Sequence, residues 1–498
     1  MYRHFIRDAV QVFSFAFVIS VILTPIIRRI CRKRNLYDLP NDERRIHTIP
    51  IPRLGGIAIY AAFFGTLFIG LFSPGALHEL FAYHGKTLFS LFISSSIVFG
   101  IGVYDDIRGA TIPQKFVVQV AAAIAIYTLG FKITIISMPF IGSVSLEMLS
   151  LPLTVFWIVG VTNAINFIDG MDGLASGVGF FYVSTMFLLS LFLGNGMTAL
   201  FSAMLAGAIS GFLCYNFSPA SIFMGDSGSL FIGFMIATIA LQGSQKSSTA
   251  VVLLIPIVAL GLPITDTILA VTRRLSHGRS PFSADREHIH HRLLNMGLSP
   301  RKTVLMLYGV CFLLGVTALL MTAVNNQVLT LILIVLSIMA ISGIRMLGYT
   351  SSMIEINELV KQRIRKKRRL LEQQRLTKEI LNEMQSISDI PTLKKIAIRA
   401  FEVMEFDIGY CTFASSKTFD IKDDCHWRSP RYERREIPHD LLATITVPLL
   451  CQEKKSGELM IGKFFEPADV GAFFEMSVLV EQLKSAFEQQ LPHVINQN

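Results

Sequence analysis

The chain has 498 residues, of which 52% are hydrophobic and only 16% charged, with 38 Phe against 2 Trp and 12 Tyr. A mean hydropathy of +0.53 excludes a disordered chain and an ordinary soluble enzyme, whose charged share runs near about 25%, and fits a polytopic membrane protein carrying a soluble part. The net charge of +9 sits beside apolar segments, which points to a membrane surface and not to nucleic acid.

The first apolar stretch, about 9–30, runs into Arg28, Arg29, Arg32, Lys33 and Arg34 with no small-residue cleavage site before them. It reads as a retained span and not a cleaved signal. A helical crossing needs about 20 apolar residues. Further spans are expected at about 54–73, 87–104, 114–130, 150–165, 177–194, 198–215, 228–242, 249–271, 303–323 and 327–347, about eleven in all. The basic residues concentrate in the loops after the first and ninth spans, which predicts an outside N-terminus and a cytoplasmic C-terminus. The six cysteines form no CxxC pair, so neither a disulfide framework nor a zinc ribbon is implied.

The polar chemistry falls in loops and helix ends on that same basic side. Arg44, Arg45 and His47, followed by Pro50, Pro52, Gly55 and Gly56, form a first basic site, or a plain positive-inside anchor. Asp105 and Asp106 end an apolar span, where carboxylates are costly unless hydrated, paired or metal-bound. Neighbours on a helix diverge by about 100°, so two different roles are expected of them. From Asn163 to Gly173, polar groups recur every third residue, Asn163, Asn166, Asp169 and Asp172, as one helical stripe suited to a hard cation and phosphate oxygens. The spacing and the lack of a terminal Glu speak against an EF-hand loop. Asp226 lies between Gly225 and Gly228 just before a span, able to hold a cation at a helix start. Last comes Asp285-Arg286-Glu287-His288-Ile289-His290-His291-Arg292, a cationic cluster read as phosphate recognition, with zinc or a solvated charge run as alternatives.

Beyond residue 350 the composition changes. Lys361 to Arg369 is a basic juxtamembrane helix suited to anionic lipid. Helix is expected to continue over about 372–405, then strands at Phe406–Phe413, Thr444–Leu450 and Gly457–Phe464, then helix at about 467–490. The expected fold class is thus a polytopic α-helical membrane protein of about 11 transmembrane helices plus a small cytoplasmic α+β domain. Its parts are a membrane domain over 1–348, a basic juxtamembrane and linker helix over 349–384, and the α+β domain over 385–498. No Walker loop, dinucleotide loop or nucleophile elbow is present. Carboxylates for a magnesium-type ion, with Arg and His for phosphates, suit attack on a phosphoanhydride by a lipid-borne nucleophile.

Over about residues 20–345 the chain resembles the bacterial polyprenyl-phosphate N-acetylhexosamine-1-phosphate transferases. The resemblance rests on Arg44-Arg45-Ile46-His47 with Pro52-Arg53-Leu54-Gly55-Gly56, on Asp105-Asp106, on Asn163–Gly173, on Met224–Ser229 and on His288–Arg292. It implies about ten or eleven spans, dependence on magnesium (manganese being an alternative), and transfer of a sugar 1-phosphate from a UDP-N-acetylhexosamine to undecaprenyl phosphate with release of UMP. The last motif resembles the branch using UDP-N-acetylglucosamine, which starts envelope polymers such as O-antigen. The resemblance implies metal binding by Asp226 and action of Asp105 at the lipid phosphate. The residue chemistry read above adds catalytic roles for Asp105, Asp106, Asp169 and Asp172, metal binding by Asp169 and Asp172 beside Asp226, and substrate binding by Arg44, Arg45, His47, Asn163, Asn166, His288, His290, His291 and Arg292. The expected location is the inner (plasma) membrane, multi-pass, with the site on the cytoplasmic face. Residues from about 385 to 490 resemble a GAF-type domain, a module that binds small ligands or pairs as a homodimer. The competing reading of the whole chain is an inactive membrane sensor or scaffold signalling through that domain.

Overall fold

The computed structural model describes residues 2–38, 50–73, 76–138, 142–244, 251–278, 280, 287–384, 387, 389–413, 424–433, 442–451, 454–464 and 470–495. The chain divides into two compact units, Met1–Ile356 and Asn357–Asn498.

The first unit is a helical bundle. Its helices are α1 (Tyr2–Lys33), α2 (Gly56–Phe72), α3 (Ala76–Tyr83), α4 (Gly85–Arg108), α5 (Ile112–Thr128), α6 (Ser150–Ile168), α7 (Leu174–Phe192), α8 (Gly196–Asn216), α9 (Gly225–Ser244), α10 (Val251–Ala259), α11 (Gly261–Ser276), α12 (Ile289–Asn295), α13 (Pro300–Leu320) and α14 (Asn326–Met346). Two short antiparallel ladders join them, β1 (Tyr37–Asp38) with β2 (Ile51–Pro52), and β3 (Ile135–Met138) with β4 (Gly142–Ser145). Among the described residues, eight helices are long and apolar enough to cross a membrane, or nine if the bent pair α2 and α3 is one span. The chain is a polytopic membrane protein. The shortfall against eleven has a physical cause. Helix α5 has 17 residues, about 25 Å of rise against a hydrocarbon core of about 30 Å. The stretch expected at 249–271 breaks at Leu260 into α10 and α11, each carrying a proline, Pro256 and Pro263.

Helices α8 and α9 are buried along most of their length, whereas α14 turns exposed apolar residues outward. Within lipid the hydrophobic effect does not drive helix against helix, so small residues and backbone approach do the work. A Cβ at Gly207 would lie 2.2 Å from the Phe13 carbonyl oxygen of α1, and one at Gly233 would lie 2.7 Å from Thr162 Cα of α6. The closest approach to another backbone is at the start of α2, where a Cβ on Gly56 would lie 2.1 Å from the Gly228 nitrogen of α9. Buried hydroxyls of Thr24, Thr66, Thr162 and Ser202 turn back to carbonyls one turn earlier, which satisfies them where water is absent.

Helix α15 (Tyr349–Met384) runs across the division, and the second unit follows with α16 (Ile390–Val403), β5 (Ile408–Phe413), β6 (Asp424–Arg428), α17 (Pro430–Glu433), β7 (Leu442–Cys451), β8 (Lys454–Phe464) and α18 (Val470–Ile495). Its strands form one antiparallel sheet in the order β6-β5-β8-β7. Alternate residues Cys411, Cys425, Leu449, Leu459 and Ile461 meet Leu393, Phe401, Val480, Leu483 and Phe487 of α16 and α18 in a separate core. The helix expected over 372–405 is two helices. Asp389 caps the second by accepting from Thr392 N at 2.9 Å, and Pro391 stands at its start. Strand β6, with the sequence DCHWR, does alternate, Cys425 and Trp427 turning inward between exposed His426 and Arg428, but it is only five residues long and lies outside the three expected strands.

The Gly56 contact gives a direct test. Gly56→Ala is expected to lower the thermal midpoint of the purified protein, since overpacking costs about 1–3 kcal/mol. Gly100→Ala, on the same bundle with nothing within 4 Å of the new methyl, is expected to leave it level or raised. Equal melting of the two variants would contradict the close approach.

Candidate active site

The site forms where α4 ends and α9 begins. Helix α9 has N–H groups at its start with no helical acceptor. Asp106 supplies one: its Oδ1 accepts from Asp226 N at 2.9 Å and its Oδ2 from Ser227 N at 3.0 Å, and its side chain is buried. Gly225 holds φ at +72°, and a Cβ there would meet the Asp106 carboxylate at 2.4 Å, so this turn takes glycine alone. Gly102 on α4 likewise leaves room for the Ser227 backbone. The neighbouring Asp105 diverges as expected. Its Oδ1 accepts from Ala110 N at 2.6 Å, and its Oδ2 faces Lys115 Nζ at 3.3 Å. Lys115 also donates to Asp226 Oδ2 at 2.8 Å, so one ammonium bridges the last turn of α4 and the first turn of α9.

The second carboxylate pair comes from the α6–α7 turn. Helix α6 stops at Ile168, one residue before Asp169, and Gly173 with φ of +77° starts α7. The polar stripe therefore divides its labour. Asn163 exchanges hydrogen bonds with Gln119 of α5, and Asn166 donates to Ser229 Oγ of α9 at 2.8 Å. These amides tie helices together. Asp172 Oδ2 accepts from Ala220 N at 2.9 Å. Burial first, then the charges of Asp226, Asp106 and Asp172, push the Asp169 carboxyl up to about 8.

The histidine cluster is also divided. His288 Nδ1 meets Asp266 Oδ2 of α11 at 2.8 Å, and Asp266 Oδ1 caps α12 through Ile289 N at 2.8 Å. His290 is buried against Gly170, neither ring nitrogen has a hydrogen-bond partner among the described residues, and burial holds it down at about 3. It is neutral at cellular pH. Arg292 donates to Glu287 Oε2 at 2.6 Å and to the Leu347 carbonyl at 2.9 Å. The expected cationic patch is thus, in large part, a hydrogen-bonded support. Arg44, Arg45 and His47, like Asp285 and Arg286, lie outside the described residues.

These elements enclose a cavity of 440 Å³ whose lining includes Asp38, Arg53, Asp105, Asp106, Asp169, Asp172, Asp226 and His291. Of the expected site residues it therefore gathers Asp105, Asp106, Asp169, Asp172, Asp226 and His291. Asn163, Asn166, His288, His290 and Arg292 stand behind that lining. Two residues were not foreseen as site members. Lys115 could have been found as a lone charge at the start of an apolar helix, ten residues after Asp105. Arg53 was visible only as part of a glycine-containing motif. Among the described residues, no three His, Cys, Asp or Glu side chains come close enough together to enclose one ion. Magnesium needs fewer, since it keeps several waters and takes one or two carboxylates together with substrate phosphates. A lining in which six carboxylates outnumber Arg53 and His291, and whose charge raises Asp169, fits such an ion.

Comparison with known proteins follows the same lines. Residues 88–244, which contain Asp105, Asp106, Lys115, the α6–α7 turn and Asp226, match the glycosyl transferase family 4. The chain is 38% identical over 329 residues to a probable undecaprenyl-phosphate N-acetylglucosaminyl 1-phosphate transferase of Bacillus subtilis, covering 65% of this chain and 88% of that protein. It belongs to the polyprenyl-phosphate N-acetylhexosamine-1-phosphate transferases of glycosyl transferase family 4. A decaprenyl-phosphate N-acetylglucosaminephosphotransferase of Mycobacterium tuberculosis is 34% identical over 325 residues, 61% of this chain and 80% of that one. The undecaprenyl-phosphate alpha-N-acetylglucosaminyl 1-phosphate transferase of Escherichia coli K12 is 28% identical over 309 residues, 60% and 79% of the two chains.

In this transferase the two adjacent aspartates do different work. Asp106→Asn replaces one acceptor oxygen by an amide facing an N–H donor. It is expected to cost about 1–2 kcal/mol, as loss of a helix cap does, and to lower the thermal midpoint more than Asp105→Asn. The reverse order would contradict the capping role.

Proposed function

We propose that the chain transfers N-acetylglucosamine 1-phosphate from UDP-N-acetylglucosamine to undecaprenyl phosphate and so starts an envelope polysaccharide. The observation that carries this reading is the carboxylate-lined cavity at the membrane-helix ends, with Arg53 and His291 in its wall, in a member of this family. A phosphate oxygen of the lipid attacks the phosphorus that bears the sugar. The bond from that phosphorus to the oxygen of UMP breaks, and UMP leaves with the electron pair. The acceptor phosphate is already ionised at neutral pH, so no strong base is needed, and a one-step displacement suffices.

In this reading Asp105, held between Ala110 N and Lys115, orients the arriving lipid phosphate or takes its residual proton. Lys115 is placed to meet phosphate oxygens once a metal satisfies Asp226. Magnesium bound by Asp226 with Asp169 or Asp172 would neutralise diphosphate charge. His291 contacts the donor from the rim, while His288 and Arg292 hold α12 in place through Asp266, Glu287 and Leu347.

The same reading takes α5 as a crossing, takes α10 with α11 as another, and so reaches eleven spans. It places the N-terminus outside and the site in the cytoplasm of an inner-membrane protein, following the basic loops. The second unit is taken as a cytoplasmic GAF-like domain that regulates or pairs the enzyme as a homodimer.

Incubation of the purified full-length protein with undecaprenyl phosphate and a set of UDP-sugars tests the proposal. Mass analysis is expected to find undecaprenyl diphosphate-N-acetylglucosamine and an equal amount of UMP. A different lipid-linked sugar would change the donor. Absence of any lipid-linked sugar would favour the sensor reading.

A further inference from the structure

Arg53 has no assigned task in this site, yet its setting is unusually constrained. It follows β2 directly and precedes α2. Its carbonyl accepts the Cys31 thiol at 3.0 Å, and the next residue, Leu54, is buried in the left-handed region with φ of +89°. A non-glycine residue persists there only when its surroundings over-determine it. They do so here through the strand-like exchange with the segment that carries Asp226. Phe223 N donates to the Pro52 carbonyl at 2.8 Å, Gly55 N to the Phe223 carbonyl at 2.9 Å, and Gly56 N to the Met224 carbonyl at 2.8 Å. The backbones that present Arg53 and Asp226 are therefore locked to each other.

Arg53 lines the cavity together with six aspartates. An arginine recruited for stability would close on one of them at about 2.7–2.9 Å, in a fork. Instead its one close approach among the described residues is Nη1 to Asp38 Oδ1 at 3.8 Å, beyond hydrogen-bond range. Asp38 steers the guanidinium without saturating it, and five N–H donors in a planar fork remain available for an oxyanion.

We propose that Arg53 grips a phosphate oxyanion of the substrate in the cavity, and so sets that phosphate at a fixed place relative to Asp226. The inference rests on the phosphotransfer reading above and deepens it. The chemistry is shared by two sources, the phosphomonoester of the lipid acceptor and the diphosphate of the nucleotide sugar.

The test uses full-length protein in detergent, with Arg53→Gln and Arg53→Lys measured against wild type. Each substrate is varied separately, UDP binding is followed by calorimetry, and thermal midpoints are recorded. Arg53→Gln is expected to lower kcat/KM by about ten- to a hundredfold, the scale of a charge-assisted hydrogen bond, with the midpoint unchanged. Arg53→Lys, which keeps the charge but loses the fork, is expected to recover part of it. Loss confined to the lipid identifies the acceptor phosphate. Loss in UDP-sugar use together with weaker UDP binding identifies the diphosphate. Normal kinetics in both variants would overturn the proposal, as would an activity loss that merely tracks a lowered midpoint. A wild-type protein that makes no lipid-linked sugar would instead remove the underlying reading.

Discussion

Two N–H groups at the start of α9 have no helical acceptor, and the Asp106 carboxylate takes both. That contact joins the end of α4 to the start of α9 and fixes where Asp226 and Asp105 stand. Glycine makes it possible. Gly102 lets the two backbones approach, Gly225 turns through positive φ, and Gly56 brings the start of α2 against the same point. Because lipid offers no hydrophobic drive between helices, such close approaches and polar ties must hold the bundle together. The Asn163–Gln119 and Asn166–Ser229 bonds extend the same logic to α5 and α6.

The arrangement gathers more negative charge than Lys115 can offset. Asp105 and Asp226 share that one ammonium, while Asp169 is pushed up by burial and by its neighbours. In a low-dielectric setting such repulsion is costly. A site of this kind gains most from a ligand that brings positive charge of its own, and the substrate phosphates then need cations on the other side. Arg53 lines the same cavity. The acids and the bases of the cavity are thus complementary parts of one phosphate-handling surface.

How much of this the sequence discloses depends on whether a residue's partner is near in the chain. Asp105 and Asp106 betray themselves as acids at the end of an apolar run, and their divergence follows from helix geometry. Asp169, Asp172 and Asp226 are legible by spacing and flanking glycine. Lys115 is legible only in part: it stands as a lone charge near Asp105, but its tie to Asp226 spans 111 residues. The His288–Arg292 segment is legible only in part, for a related reason. Its charges look available in the sequence, but Asp266 and Leu347, from α11 and the end of α14, take up His288 and Arg292. Hydropathy does not see the break at Leu260, so the count of eleven rests on taking α5 and the α10–α11 pair as crossings, and β6 escaped because its alternation spans only five residues.

We propose that the excess carboxylate charge around Asp226 holds a divalent cation. Electron paramagnetic resonance of manganese, titrated into the full-length protein with UDP present, measures this directly. The account predicts a bound ion displaced by magnesium, and its loss or strong weakening in Asp226→Asn protein that elutes and melts like wild type. Unchanged manganese binding in that variant, or none in wild type, would contradict it.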